Sequence, residues 1–242
     1  MLYSPLEQFE IVPIFSFMLG SKFAFTNSSL FLFLTIFIIA CFFHMTTFES
    51  TLAPNRWQTL SEMIYEFVQG MLHEALGDKG SRFFPFIFTT FVFIFFANIL
   101  GMIPYTFTVT SHLVFTFGLG MTTFVGLNII GLKRHGLHFF SLFLPPGAPL
   151  ALAPLLVPIE LISYVFRVVA LAVRLFANMM AGHTLLKILA TFAWKMIAAG
   201  GIFYIIQLFP MIVIIAITGL ELAIAFLKAY VWTTLTCIYL SD

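Results

Sequence analysis

The sequence predicts an all-α membrane protein with about five transmembrane helices and one amphipathic surface helix, the last two helices being long, tilted and antiparallel. Three observations carry that reading. Of the 242 residues, 61% are hydrophobic and only 9% are charged, against about 25% charged in ordinary soluble domains. The mean hydropathy of +1.07 means more apolar surface than a soluble core can hide, so the solvent is lipid. Several charge-free runs reach the roughly 20 residues that a spanning helix needs. The 33 phenylalanines are spread along the whole chain, which suits lipid-facing helices.

The chain reads as one membrane domain over 1–242, and its elements follow in order. A first span is expected over 24–48, free of charge and most apolar from Leu30 to Phe43. Residues 55–77 have apolar side chains at Trp57, Leu60, Met63, Ile64, Phe67, Val68, Met71 and Leu72, the spacing of one helical face. Asn55 suits the cap and Gly77 the stop. This helix lies along the membrane surface or docks on another subunit; the spacing allows both. The next charge-free stretch is too long for one helix. Pro104 divides it into a helical hairpin over 83–103 and 108–133. After PPGAP at 145–149, two long helices are expected over 149–191 and 196–240, with a break near Ala199-Gly200-Gly201. Each is long for an upright crossing and must tilt or bend.

The N-terminal stretch carries Glu7 and Glu10 and no basic residue before the first apolar run. It is expected to be neither a secretory signal nor an Arg-rich transit peptide, which points to a bacterial protein or one made inside an organelle. A net charge of +1 offers nothing to nucleic acid. Cys41 and Cys237 sit alone in apolar runs and read as small buried hydrophobes. No phosphate-loop or dinucleotide glycine pattern occurs. His135 and His138 stand three apart on a loop, which is thin ground for a metal; no metal or cofactor is expected. Five basic residues (Arg56, Lys79, Arg82, Lys133 and Arg134) fall on one side of the predicted topology. Lys22, Lys187 and Lys195 fall on the other. This bias puts the N-terminus outside and the C-terminus inside.

Charges kept inside an apolar helix are costly and mark structure or transport. At about 100° per residue, Glu160, Ser163, Arg167, Arg174 and Asn178 share one stripe. His183 falls about 180° away from Arg174 and must meet a different neighbour. Gln207, Glu221 and Lys228 share a face of the last helix. If the two long helices are antiparallel, residue numbers at matching depth have a nearly constant sum. Arg174 with Lys228 and His183 with Glu221 do, at 402 and 404. Glu221 and His183 can each bind and release a proton. Glu160, about 21 Å from Arg174 along the axis, can line a second path. Arg174 keeps its charge at working pH, so it blocks a direct leak and attracts a carboxylate on a partner. A plainer reading also stands, in which these charges only bridge neighbouring helices. Two rivals remain as well: a lone secondary transporter, which predicts pseudo-symmetric halves, and a structural subunit of a respiratory complex.

Residues 171–185, LAVRLFANMMAGHTL, resemble the arginine signature of subunit a of F-type ATP synthases. GLELAIAFLKAYVWTTLTCIYL resembles the partner signature on the last helix, ANILGMIPYTFTVTSHL the helical hairpin, and SPLEQFEI the start of mitochondrial members. The resemblance runs from Ser4 to Leu240. It implies a non-catalytic, proton-translocating subunit of the Fo sector lying against a rotating c-ring. Protons would reach ring carboxylates by one half-channel and leave by another. It implies further contacts with peripheral-stalk subunits, small Fo membrane subunits and lipids. Arg174 matches the essential arginine and Asn178 the asparagine one turn on. His183 and Glu221 match the intermembrane-space half-channel, and Glu160 the acidic residue of the matrix-side exit. The order of His183 and Glu221, with the SPLEQFEI start, implies the mitochondrial inner membrane. One position departs: the family has Gln where this chain has Lys228. A second cation near Arg174 is expected to snorkel toward the matrix, pair with an acid, or lose its proton easily.

Overall fold

The computed structural model describes residues 5–16, 24–48, 54–103, 106–136, 153–201 and 203–241. Its helices are α1 (Asn27–Phe48), α2 (Arg56–Leu76), α3 (Phe84–Met102), α4 (Leu113–His135), α5 (Ala153–Ala199), α6 (Phe203–Ile206) and α7 (Leu208–Ser241). Among the described residues, five helices are long and apolar enough to cross a membrane: α1, α3, α4, α5 and α7. The all-α membrane class is thus what the chain adopts. A two-stranded antiparallel hairpin, Pro13–Ser16 with Ala24–Thr26, precedes α1. Pro104, the 145–149 run, Lys22 and His138 lie outside the described residues, as do the side chains of Lys79, Arg134 and His135.

Several helix limits differ from those expected, each for a local reason. The first span starts at Asn27 because Ala24–Thr26 pairs as a strand. The second hairpin helix starts at Leu113, where 108 was expected, and extends to His135. Before it, Ser111 Oγ donates to the Thr108 carbonyl at 2.6 Å, and such local hydroxyl bonds compete with helix. The long helix expected to end at 191 continues to Ala199. No glycine or proline interrupts it after Gly182. It ends where Gly200 and Gly201 take φ of 68° and 65°, a region open to glycine at little cost. The last helix, expected from 196, starts at Leu208 after the short α6. The ring of Pro210 clashes with the carbonyl four residues back in a continuous helix, so the chain breaks at Gln207 and Pro210 falls in the first turn of α7.

Asn55 caps α2, its side chain accepting from Arg56 N–H at 2.8 Å. The apolar face of α2 is divided: Trp57, Leu60 and Met63 remain exposed, while its C-terminal half packs on this chain. Val68, Met71 and Leu72 are buried against this chain's own α3 and α7. Phe67 contacts Phe91, Phe226 and Tyr230. The core continues through Ile87, Phe91 and Ile94 to Leu171, Leu175, Ala229 and Trp232. Most other large apolar side chains are exposed, as lipid-facing helices demand. α5 has 47 residues, about 70 Å of helix against a hydrocarbon core of about 30 Å, so it cannot stand upright.

Candidate functional site

α5 and α7 run antiparallel, and two contacts fix their register. The Lys228 ammonium donates to the Leu175 carbonyl at 3.4 Å. Two turns along the pair, the Glu221 carboxylate fills the space beside Gly182 so closely that a Cβ there would overlap it. Both pairs add to 403 in residue number, midway between the two sums expected from sequence. The charged residues of the two helices therefore meet at matching depths, because one register satisfies both contacts.

The polar stripe of α5 faces away from the rest of the chain. Ser163, Arg167, Arg174 and Asn178 are exposed, and Glu160 partly so, while Val168, Leu171, Ala172, Leu175 and Met179 are buried on the opposite side. Ala170, Ala177 and Ala181 lie exposed beside Arg174. Arg174 has no hydrogen bond or ion pair among the described residues. With Asn178, Lys228 and Trp232 it lines a cavity of about 180 Å³ between α5 and α7.

Toward the α3–α4 connection lies one polar group. Thr108 Oγ1 donates to the Gly101 carbonyl at 3.2 Å and sits 3.3 Å from His183 Nε2. With its single proton so committed, the hydroxyl accepts from His183 Nε2–H, which leaves Nδ1 as an acceptor. Phe9 meets the same ring edge-on at 6.4 Å. His183 thus finds the different neighbour that its position off the stripe requires. No hydrogen bond or ion pair joins His183 to Glu221 among the described residues; Glu221 meets Gly182 instead. One Glu221 oxygen is buried without a hydrogen-bond partner among the described residues. One turn deeper, Asn98 is fully buried, donates to the Ala225 carbonyl at 3.4 Å, and keeps its own oxygen unpartnered. Sequence reasoning missed Asn98; a lone amide in the charge-free α3 was the available signal.

At the other end of α5, Arg167 lies 4.0 Å from Glu160, both side chains more than 40% exposed. The Arg167 guanidinium also covers the Tyr239 ring at 5.8 Å. Tyr164 donates to Asn128 at 3.1 Å on α4. Ser163 makes no recorded hydrogen bond, and Gln207 sits at the kink before α7, about 21 Å of helix from Glu221. Neither side chain is hydrogen-bonded into those groups among the described residues, although Ser163 shares the exposed stripe with Glu160. Lys228 does not snorkel: only 7% of it is exposed, and its ammonium bonds a carbonyl with no carboxylate within 4 Å among the described residues.

Arg174 therefore stands on an exposed face between two separate polar groups at opposite ends of α5, and the arrangement has relatives. The family described as ATP synthase A chain matches residues 29–241. This chain belongs to that family. Curated relatives named ATP synthase subunit a include one from Chondrus crispus, 55% identical across 99% of this chain and 95% of the relative. Another from Marchantia polymorpha is 53% identical across 100% and 98%. A third from Rhodospirillum rubrum is 49% identical across 100% and 98%. As a member of the ATP synthase A chain family, the chain is a proton-translocating subunit of the membrane Fo sector and is not catalytic by itself.

Proposed function

We propose that this chain is the stationary half of a rotary proton motor, with two offset half-channels that deliver protons to and from the carboxylates of a c-ring. The observation that carries the reading is Arg174, exposed on α5 between the His183–Glu221 end and the Glu160–Arg167 end. A permanent cation there opposes a proton crossing directly from one end to the other. It attracts a ring carboxylate, which must lose its proton to pair with it. His183, Glu221 and Asn178 serve the inlet. Glu160 and Ser163 serve the outlet. Lys228 belongs to the central cavity and Gln207 to the inlet rim. The chain works as one membrane domain.

The exposed stripe faces the c-ring, and its alanines permit a close approach. Peripheral-stalk subunits, small Fo membrane subunits and lipids cover the remaining apolar surface; nucleic acid has no role. The membrane is the mitochondrial inner membrane, with the N-terminus in the intermembrane space and the C-terminus in the matrix. The test is Arg174→Ala in complete ATP synthase reconstituted into liposomes. Loss of proton-driven ATP synthesis, with the complex still assembled, is expected. Wild-type coupling in the variant would overturn the reading.

A further inference from the structure

The cavity between α5 and α7 is lined by Arg174, Asn178 and Lys228 among apolar side chains, and by no acid. Arg174 carries a guanidinium, Asn178 an amide, and Lys228 an ammonium that is 7% exposed. Trp232, 1% exposed, closes one wall of it. Two cations around about 180 Å³ form a place for an anion, since two cations left alone there repel. The surrounding elements bring little else that is charged. α3 carries no titratable residue, α4 only Lys133, Arg134 and His135 at its far end, and α2 turns Phe67, Val68 and Met71 toward α7. On α5 the other groups are His183, Arg167, Tyr164, Glu160, Lys187 and Lys195; on α7 there is Glu221, two turns from Lys228, with Tyr230, Cys237 and Tyr239.

We propose that Lys228 is a second cation of this cavity, so that a carboxylate entering it is held between Arg174 and Lys228. The proposal rests on the rotary reading above, which supplies the ring carboxylate as the ligand. A carboxylate stabilised by two cations gives up its proton more readily and takes one back only at higher proton concentration. The inlet of this chain should therefore need a more acidic compartment than a chain with a neutral residue at this position.

The test uses complete ATP synthase in liposomes, with the inlet pH varied at constant outlet pH and membrane potential. Lys228→Gln and Lys228→Met should reach half-maximal synthesis at an inlet proton concentration about tenfold lower than wild type, the effect of one pKa unit. Lys228→Arg should stay within about twofold. A half-saturation point unmoved in both neutral variants, with Arg174→Ala uncoupled, would sink the two-cation site and leave the rotary reading standing. Coupling that survives Arg174→Ala would sink the rotary reading itself. Failure of both neutral variants to assemble would make Lys228 a packing residue and overturn the proposal as well.

Discussion

The Glu221 carboxylate of α7 occupies the volume that any side chain on Gly182 of α5 would claim. Gly182 is one residue before His183, so Glu221 and His183 are both positioned by adjacent residues of one helix. A side chain at Gly182 would meet the carboxylate itself, so Glu221 keeps this seat only while the position carries no Cβ.

Gly182→Ala should push the carboxylate out of its position while leaving the rest of the helix pair intact. Misplacing a reacting group by about 1 Å costs up to roughly a hundredfold, so proton-driven ATP synthesis should fall at least about tenfold. The complex should still assemble, as judged by native gel. Wild-type rates in an assembled Gly182→Ala enzyme would mean that the exact seat of Glu221 is unimportant.

His112 offers a pH test outside the spanning helices. Its ring stacks on Phe107 at 5.2 Å, its Nε2 is buried without a partner among the described residues, and burial lowers its pKa from the ordinary value of 6.5. The folded chain therefore binds this proton less well than the unfolded chain. Stability from this residue is whole above pH about 6.5 and declines as the pH falls below it toward the folded value. The thermal midpoint of the solubilised complex should drop between pH 7.5 and pH 5.5, and His112→Gln should flatten that drop. Equal slopes in the two proteins would remove His112 as the cause.

The sequence made the α5–α7 register legible because ionisable residues are rare in lipid. With so few charges, only one alignment brings Arg174 to Lys228 and His183 to Glu221. Asn55 and the apolar face of α2 were legible for a similar reason, since periodicity and capping are local. What that face packs against was not, because the burial of Val68 and Met71 depends on where α3 and α7 come to lie. The contact of Glu221 with Gly182, in place of His183, was hidden too. It turns on which way a side chain leans within one turn, which spacing cannot resolve. The contact of Lys228 was not legible either: its ammonium meets the Leu175 carbonyl, and neither the matrix side nor an acid.

The same limit affects which side of α5 meets the ring. Leu171 and Leu175 flank Arg174 in sequence and look like natural contact points for ring helices. In the folded chain they are 8% and 2% exposed, buried in the core that includes Ala229 and Trp232. The positions that share the exposed face with Arg174 are Ala170, Ala177 and Ala181, each within about 60° of it around the helix. Single cysteines at Ala177 and Ala181, paired with cysteines on the outer ring helices, should form disulfides under mild oxidation in the assembled enzyme. Cysteines at Leu171 and Leu175 should form none, since a disulfide needs Cα atoms within about 7 Å and these side chains point into the subunit. Bonding at Leu175 and not at Ala177 would show that α5 turns its other side to the ring. Arg174 would then lose its place as the group a passing carboxylate meets.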